Sequence, residues 1–491
     1  MPVTDVEVFG LIVLGVSLAI TAAVLSNRVS EWSRIPAPAI FLVGAALVSD
    51  LVPELGGLRI TTVERIVTVA LTVILFDGGM NIGRRRFASA GVAVAWLGVA
   101  GTLVTAAAVA ALAHLLFGFG WRMALLIGTA LAPTDPAVVF SVLGRREVTG
   151  RAGTLLEGES GANDPVGIAL MVSLLAATGS GGGAFASGLL TFAEQMVVGA
   201  VVGVAGGAAL LAFMRRVPLP GEGLYPLRAL AGALVLYGLA TVARGSGFLA
   251  VFVAGILLGD ERAPYKREIA RFHHALASLA EIIAFVVLGL TVRLASLPDD
   301  NAWLTGLALA ALLALVVRPL LVGLVLAPIR LGRGERVFVL WAGLKGAVPI
   351  LLGTFVLSSG NAGALRVYNI IFVVVLFSVV VQGGLVPFVA RRAGVPMRYV
   401  DLEPWALGIR LREEPQGVRR FAVMAGSAAD GRAIADLAGD HELWVSMVLR
   451  GGELLQVRGD TVLRADDDVI VLVEPEPGWD AEELFTSPAG T

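Results

Sequence analysis

The residues best suited to chemistry lie in the apolar segment 157–177, which carries Ser160, Asn163 and Asp164. Their i, i+3, i+4 spacing would place the three side chains on one face of a helix. A hydroxyl, an amide oxygen and a carboxylate are hard oxygen ligands that suit a monovalent cation. An acid in so hydrophobic a segment usually marks an ion or proton pathway, although a structural hydrogen-bond cluster is the alternative. Because one carboxylate can hold a proton or a cation but not both, the pattern predicts an exchange site centred on Asp164.

Two other apolar runs are interrupted in mid-course by helix-disrupting residues. In APTDPAVV, residues 132–139, Asp135 lies between two prolines, and in WAGLKGAVPI, residues 341–350, Lys345 lies among glycines. If two helices unwind at these points and cross, their oppositely polarised half-helix ends converge in a low-dielectric environment. Asp135 and Lys345 have the charges needed to neutralise those ends. The alternative is that the prolines only kink packed helices.

Further charged residues also lie inside apolar segments. Glu159 would face away from Asp164 on the same helix, and Arg318, within LALVVRPLLVGL, is its predicted partner because buried charges need pairing. We expect this ion pair to stabilise the fold. For Asp77 and Glu281, a functional acid and a capping or packing carboxylate remain open alternatives.

The composition indicates a membrane protein. The chain has 491 residues, of which 57% are hydrophobic and 15% charged, with a mean hydropathy of +0.84. It is therefore too apolar for an ordinary soluble protein, and we predict a polytopic α-helical membrane protein. The sequence has no cysteine, which excludes disulfides and thiolate metal sites. His273 and His274 are expected to be a solvated pair in a basic loop.

Motifs of common enzymes are missing from suitable settings in the sequence. There is no phosphate-binding GxxxxGK[ST] loop, no HExxH zinc site and no GxSxG nucleophile elbow in a credible context. This argues against a primary pump and against an intramembrane hydrolase. We expect no enzymatic activity and no bound cofactor in the membrane part of the chain.

The apolar runs predict thirteen membrane-spanning helices, at about 20 residues per span. They fall near residues 6–25, 37–52, 65–80, 90–117, 121–143, 157–177, 189–213, 228–243, 246–259, 271–295, 303–331, 335–357 and 366–390. The first run lacks the basic flank of a signal peptide and is expected to be retained. Alternate loops carry 21 basic residues on one side and 6 on the other. This asymmetry predicts an N-terminus outside the cell and a C-terminus in the cytoplasm.

An internal repeat lies beneath these spans. FLVGAALVSD at 41–50 resembles VFVAGILLGD at 251–260, an offset near 210 residues that also carries Asp135 onto the break around Lys345. This offset contains seven spans, an odd number, so the two halves should be inverted in the membrane. Inverted repeats with broken helices at corresponding positions are typical of secondary transporters whose site lies at the midplane.

The chain divides into two modules of different charge. The residues from 399 onward contain 18 acids and 8 bases, whereas 21 acids and 29 bases precede them. We assign residues 1–395 to the membrane domain, 399–418 to a linker, 419–476 to a small cytoplasmic α+β domain and 477–491 to a flexible tail.

The motifs of residues 1 to about 395 together resemble the monovalent cation:proton antiporter family, in its Asn-Asp branch. They are, in order, LFDGG, APTDPAVV, GESGANDPVGIAL, the pair Arg318–Pro319 and WAGLKGAVPI. The resemblance implies that Asp164 is the proton- and cation-binding carboxylate. It also implies that Ser160, Asp135 and the opened backbone around Thr134 line the site.

The same resemblance implies further roles and an architecture. Asn163 stands where electrogenic relatives carry a second Asp, which implies electroneutral exchange. Glu159 and Arg318 match a structural ion pair of the family, and Lys345 matches a basic residue that is often Arg. The implied fold has thirteen helices with two crossing discontinuous helices, divided into a core that moves like an elevator and a domain that forms a homodimer.

The C-terminal module resembles the TrkA-C lobe of potassium-conductance regulators, through AGSAADGRAIADL, VLRGGELL and RGDTVLRADDDVIVLVEP. No G-x-G-x-x-G unit precedes it, so the nucleotide-binding half of complete regulators is missing. The resemblance implies dimerisation and a possible nucleotide or cyclic dinucleotide regulator. A passive dimerisation domain is the alternative.

The leading hypothesis is an electroneutral K⁺/H⁺ antiporter of a bacterial inner membrane, which works by alternating access and is regulated by its C-terminal domain. Antiporters that carry this lobe lean towards potassium, but a Na⁺/H⁺ antiporter of the same fold is the first alternative. A gated cation channel with the acids as a selectivity ring is the second, and a non-transporting sensor is the third. The expected partners are K⁺ or Na⁺, protons, lipid and a second copy of the chain, with no nucleic acid.

Overall fold

The structure is a computed structural model that describes most of the chain. The described residues are 36–52, 57–144, 146–148, 150–177, 182–260, 265–298, 301–399, 418–440, 443–451, 453–473 and 481–486, with single residues between 10 and 25. The first predicted span, most of the predicted linker and parts of the predicted tail lie outside these residues. The chain forms two compact units, Met1–Asp401 and Leu402–Thr491, and each is described by itself.

The first unit is helical. Its helices are α1 Ala37–Leu51, α2 Ile60–Trp96, α3 Thr102–Phe117, α4 Trp121–Ala130, α5 Ala137–Leu143, α6 Arg151–Ala176, α7 Gly182–Arg216, α8 Leu224–Val242, α9 Gly247–Gly259, α10 Lys266–Leu290, α11 Ala302–Leu312, α12 Arg333–Trp341, α13 Ala347–Ser358, α14 Ala364–Phe377 and α15 Val386–Ala393. Within the described part of the chain, seven helical segments are long and apolar enough to cross a membrane. Every predicted run from residue 37 onward coincides with a helix or with a pair of helices. The count of thirteen spans stays a prediction.

Helix α2 contains one predicted span and the start of the next, on either side of a sharp bend. Gly83 has φ 65° and ψ 167°, outside the helical region, so the first helix ends there and a second resumes. Glycine adopts such a conformation without the strain that a Cβ would cause. The carboxylate of Asp260 accepts a hydrogen bond from the backbone N–H of Arg85, one of the donors exposed by the bend.

Three helices continue as π-helical segments, which are uncommon and frequently found at functional sites. Leu97–Gly101 joins α2 to α3, Leu313–Val322 extends α11, and Ser378–Gly383 extends α14. They pack against α6, α12 and α5 respectively. The irregular stretches therefore surround the interrupted helices and the helix that carries Asp164.

Both runs with predicted breaks are interrupted in the structure. Residues 131–136 separate α4 from α5, and residues 342–346 separate α12 from α13. The two unwound segments contact each other, because the backbone N–H of Asp135 donates to the carbonyl oxygen of Leu344 at 2.8 Å. The chain therefore satisfies part of its opened backbone across the crossing rather than within one helix.

Close packing of small residues places α2 against α9 and α10. A Cβ on Gly79 would lie 2.5 Å from the carbonyl oxygen of Phe252, so the two backbones meet without a side chain between them.

The expectation that His273 and His274 lie in a loop is wrong, since both are on α10 and His273 is fully buried. The helical spacing of apolar residues along α10 continues through this basic segment. The loop prediction was wrong because it relied on charge alone.

A two-stranded antiparallel sheet closes the first unit. Strand β1, Arg146–Val148, lies between α5 and α6, and strand β2, Met397–Tyr399, follows α15. Arg146 is paired with Tyr399 and Val148 with Met397. The loop before the helix of Asp164 is thus hydrogen-bonded to the end of the membrane unit.

The second unit is a four-stranded antiparallel sheet with two short helices. Its elements are β3 Val418–Ala422, α16 Ile434–Asp440, β4 Leu443–Arg450, β5 Glu453–Leu455, β6 Asp468–Val473 and α17 Ala481–Thr486, with strand order β3-β6-β4-β5. The assignment of residues 477–491 to a flexible tail is wrong for α17, because Phe485 is fully buried and stacks on Phe421 at 4.9 Å. The domain therefore extends at least to Thr486. The apolar residues of α17 are too few to show a helical periodicity in the sequence.

Candidate functional site

Asp164 lies in mid-course of α6 and is buried, with 7% of its surface exposed. Its Oδ1 atom has no hydrogen-bond partner among the described residues. Ser160, one helical turn earlier, and Asn163 are also buried. An unsatisfied buried carboxylate oxygen is expensive, and a proton or a cation bound at Oδ1 would offset that cost.

The amide of Asn163 holds the first unwound segment through Thr134. Asn163 Nδ2 donates to Thr134 Oγ1 at 2.7 Å, and the backbone N–H of Thr134 donates to Asn163 Oδ1 at 3.3 Å. Both the nitrogen and the oxygen of the Asn163 amide are therefore hydrogen-bonded to Thr134. The pair fixes the opened backbone beside Asp164, the next residue along α6.

Asp135 is half-buried at the start of α5. Its Oδ1 accepts a hydrogen bond from the backbone N–H of Ala137 at 2.9 Å, which caps the N-terminus of this half-helix. The negative charge lies at the positive end of the half-helix dipole, as predicted from sequence. Asp135 also interacts electrostatically with Asp164, so the two acids belong to one charged site.

Lys345 lies in the second unwound segment and is almost fully buried. Its Nζ donates to the carbonyl oxygens of Ala132 and Pro133, at 2.9 Å each. Those carbonyls follow the C-terminal end of α4, where a helix leaves its acceptors unsatisfied. Lys345 thus neutralises the negative end of the first broken helix, and it also interacts electrostatically with Asp164.

A polar cluster on the π-helical segment Ser378–Gly383, which the sequence analysis missed, supports the second unwound segment. Ser378 Oγ accepts from the backbone N–H of Lys345 at 2.9 Å and donates to Gln382 Oε1 at 3.2 Å. Gln382 Nε2 donates to the carbonyl oxygen of Trp341 at 2.7 Å, and Trp341 Nε1 donates to the carbonyl oxygen of Gln382 at 3.2 Å. Two polar residues one turn apart in the apolar run 366–390 were the available signal.

Glu159 and Arg318 form the predicted ion pair. Arg318 Nη1 donates to Glu159 Oε1 at 2.7 Å, and both residues are almost fully buried. The guanidinium also donates to the carbonyl oxygens of Val339 and Leu340 in the last turn of α12. Arg318 therefore joins the helix of Asp164 to the second broken helix.

A small cavity lies beside the second unwound segment. Its polar lining comes from Arg318, Lys345, Ser378 and Gln382, and no carboxylate lines it. Two positive side chains make this cavity unsuitable for a cation. The side of the crossing that carries Asp135 and Asp164 is the one whose donor set suits a monovalent cation.

That donor set offers a carboxylate oxygen without a partner, a second carboxylate, and the hydroxyls of Ser160 and Thr134. In the part of the chain that the structure describes, no three His, Asp or Glu side chains group as a resident metal centre would. The arrangement suits a weakly held ion that enters and leaves, and a proton can occupy the same oxygen. The structure thus brings together all eight residues singled out from the sequence: Thr134, Asp135, Glu159, Ser160, Asn163, Asp164, Arg318 and Lys345.

Comparison with known families identifies the family of each part of the chain. A family model described as "Sodium/hydrogen exchanger, transmembrane" matches residues 7–392, which include both broken helices and α6. The chain belongs to the sodium/hydrogen exchanger family. A model of the TrkA-C domain matches residues 418–485, so this exchanger carries a C-terminal TrkA-C domain.

Curated relatives of this exchanger are transporters and not enzymes. The K⁺/H⁺ antiporter NhaP of Alkalimonas amylolytica is 32% identical, over 99% of this chain and 85% of its own. The K⁺/H⁺ antiporter NhaP2 of Shewanella oneidensis is 33% identical, over 96% of this chain and 82% of its own. The Na⁺/H⁺ antiporter NhaH of Halobacillus aidingensis is 27% identical, over 79% and 98%.

A solved structure shows the same fold. The sodium proton antiporter MjNhaP1 of Methanocaldococcus jannaschii at pH 8 superposes with a TM-score of 0.67 at 22% identity. The match covers 78% of this exchanger and 99% of the solved chain. The fold is therefore that of a polytopic helical antiporter followed by a small domain with a sheet.

Proposed function

We propose that this exchanger is an electroneutral K⁺/H⁺ antiporter in which Asp164 binds either one cation or one proton. The observation that carries the proposal is the buried Oδ1 atom of Asp164, which has no partner among the described residues and lies beside two crossed, unwound helices. Occupation by one ion excludes the other. If the site carries a cation across the membrane in one direction and a proton in the other, the two ions are exchanged.

The roles of the remaining site residues follow from their contacts. Ser160, Asp135 and Thr134 supply further oxygens to the cation, and Asn163 holds Thr134 in position. Lys345 and Asp135 offset the half-helix dipoles. With an amide at position 163 in place of a second acid, one charge is exchanged for one charge, which supports electroneutrality.

Potassium is the proposed cation because the relatives that match nearly the whole chain at 32 and 33% identity are K⁺/H⁺ antiporters. They also match the TrkA-C region of this chain through their coverage. A Na⁺/H⁺ antiporter is the second candidate, since NhaH of Halobacillus aidingensis matches 79% of the chain. The oxygen ligands alone do not distinguish the two cations.

The rest of the proposal concerns architecture and setting. Thirteen spans in two inverted repeats, an elevator-like core, a homodimer and an inner-membrane location are what membership of the family supports. An outward N-terminus and a cytoplasmic C-terminal domain are supported by the 21 to 6 loop asymmetry. Regulation by the TrkA-C domain, through a nucleotide or cyclic dinucleotide, completes the proposal.

The decisive experiment compares Asp164→Asn with the native protein in proteoliposomes. The variant should fold and lose cation-driven pH change for K⁺, Na⁺ and Li⁺ alike, whereas the native protein should respond most strongly to K⁺. Retained exchange would refute the assignment of Asp164. A rate that changes when the membrane potential is clamped would contradict electroneutrality, and single-channel currents would favour a gated channel.

A truncation after Arg398 tests the regulatory role. Basal exchange should persist while its dependence on pH or ligand changes. Complete loss of exchange in a folded truncated protein would instead make the C-terminal domain part of the transport machinery.

A further inference from the structure

A second group of titratable side chains has no role in the site described above. Asp77 on α2 is buried, with 8% of its side chain exposed. Its Oδ2 accepts from Asn81 Nδ2 at 3.0 Å and lies 3.4 Å from His274 Nδ1 on α10. Its Oδ1 is buried and has no partner among the described residues. Asp77 therefore has one oxygen free for a proton or for a water molecule that delivers one.

His274 connects this buried acid to the protein surface. Its side chain is 75% exposed although one ring nitrogen faces Asp77. Its neighbour His273 is fully buried, and His273 Nδ1 contacts the carbonyl oxygen of Ile269 at 2.8 Å. Imidazole can pick up a proton on one nitrogen and release one from the other, and it does so near neutral pH.

Glu281 lies on α10, the helix that carries His274. It is seven residues after His274 on α10, so it shares the same face about two turns further along. Glu281 interacts electrostatically with both His274 and Asp135, and Asp135 does so with Asp164. The groups that face this route are thus Asp77 from α2, Asp135 from the first break, and His273 and His274 from α10.

We propose that Asp77, His274 and Glu281 form the route by which protons pass between the bulk water and Asp164. When Asp164 releases its proton to accept a cation, the proton moves through water to Glu281 and then to the Asp77–His274 pair. It leaves from the exposed imidazole to a water molecule. The reverse sequence reloads Asp164, and no further reactant is required. This inference rests on the proposed antiport.

The test separates proton transfer from cation transfer. Exchange of external ⁸⁶Rb⁺ for internal K⁺ at equal pH moves no net proton, whereas K⁺/H⁺ exchange needs one proton per turnover. His274→Gln keeps a hydrogen-bond donor for Asp77 but cannot shuttle protons. We expect K⁺/H⁺ exchange to fall about a hundredfold, the low end for a positioned acid–base group, while ⁸⁶Rb⁺/K⁺ exchange stays within about twofold.

His114→Gln is the matched control. His114 ends α3, stacks on Trp121 at 4.1 Å and contacts the carbonyl oxygen of Phe119 through Nδ1 at 2.7 Å. The control should leave both exchange modes unchanged. Asp77→Asn should reproduce the selective loss, and the double variant with His274→Gln should be no slower than the slower single variant.

Three results would overturn the route. An equal loss of both modes would make the pair structural, and normal K⁺/H⁺ exchange in both variants would remove it from the proton path. A raised KM for K⁺ in Asp77→Asn, with normal proton release, would make Asp77 a cation ligand. A native protein that performs neither exchange would refute the proposed function itself, which distinguishes the two failures.

Discussion

The carboxylate of Asp135 occupies the space that a side chain at position 346 would need. A Cβ built on Gly346 would lie 1.8 Å from Asp135 Oδ2 and 2.4 Å from its Cβ atom. This close approach accompanies the hydrogen bond from the backbone N–H of Asp135 to the carbonyl oxygen of Leu344 at 2.8 Å. The crossing of the two broken helices therefore depends on glycine at 346.

Replacing Gly346 by Ala should abolish exchange, because the new methyl group must displace Asp135 or separate the two segments. Overpacking of this kind costs about 1–3 kcal/mol, so the melting temperature in detergent should also fall. Gly238→Ala on α8 is the control, since nothing lies within 4 Å of its Cβ position. Normal exchange by Gly346→Ala would show that the crossing tolerates a wider separation.

Removal of the Lys345 ammonium should damage both transport and stability. Lys345→Met leaves the carbonyl oxygens of Ala132 and Pro133 without their donor, at about 1–3 kcal/mol for each unsatisfied buried group. It also removes the positive charge that interacts with Asp164. Lys345→Arg keeps the charge and should retain part of the activity. Proteoliposome exchange and thermal unfolding measure the two effects, and equal behaviour of Met and Arg would contradict the role of the charge.

Breaking the buried pair of Glu159 and Arg318 should destabilise the fold more than it alters ion selectivity. Glu159→Gln strands a buried guanidinium, which typically costs about 3–5 kcal/mol. The double variant Glu159→Gln/Arg318→Gln should recover part of that loss. Recovery should be incomplete, because Arg318 also donates to Val339 and Leu340 in α12. A double-mutant cycle of unfolding measures the coupling, and strictly additive effects would contradict it.

The TrkA-C domain should lose stability in acid through Asp467. Burial alone would raise the pKa of Asp467, but hydrogen bonds from the Arg450 guanidinium and the Arg464 backbone N–H outweigh burial and lower the pKa below its ordinary value of 3.8. A folded-state pKa below the unfolded one means that the carboxylate stabilises the domain at neutral pH. This contribution is lost as the pH falls below about 4.

Hydrogen exchange of peptides from residues 418–486 in the full chain measures this effect. Asp467→Asn should increase exchange at pH 7 by an amount equivalent to about 1.5–3 kcal/mol, the range for a hydrogen bond to a charged group. The same substitution should also weaken the dependence of hydrogen exchange on pH in the acid range. Asp460→Asn is the control because Asp460 is exposed, and identical exchange in both variants would contradict the assignment.

The sequence predicted the membrane class and the two interrupted helices, and it singled out eight candidate site residues, because each has a local signal. Prolines flank Asp135, glycines flank Lys345, and acids stand out in apolar runs. The sequence also predicted the Glu159–Arg318 pair, since a buried charge requires a partner and few partners exist. These inferences depend only on the free-energy cost of burying a charge and of leaving backbone groups without hydrogen bonds in a low-dielectric environment.

Features that depend on tertiary packing were not predictable. Ser378 and Gln382 are recognisable as supports only once α14 lies against the second break. The burial of Phe485 in the C-terminal domain depends on a contact with Phe421 across 63 intervening residues. His273 and His274 sit in a basic stretch, and only the packing of α10 shows that one is buried and the other exposed.

The small sheet of β1 and β2 connects the end of the membrane unit to the segment that precedes α6. Tyr399 is the first residue of the predicted linker, and it is paired with Arg146 in the segment that leads into α6. Because Arg146 lies five residues before Arg151, the first residue of α6, a displacement of Tyr399 would be passed through this strand pair to the segment that precedes the helix of Asp164.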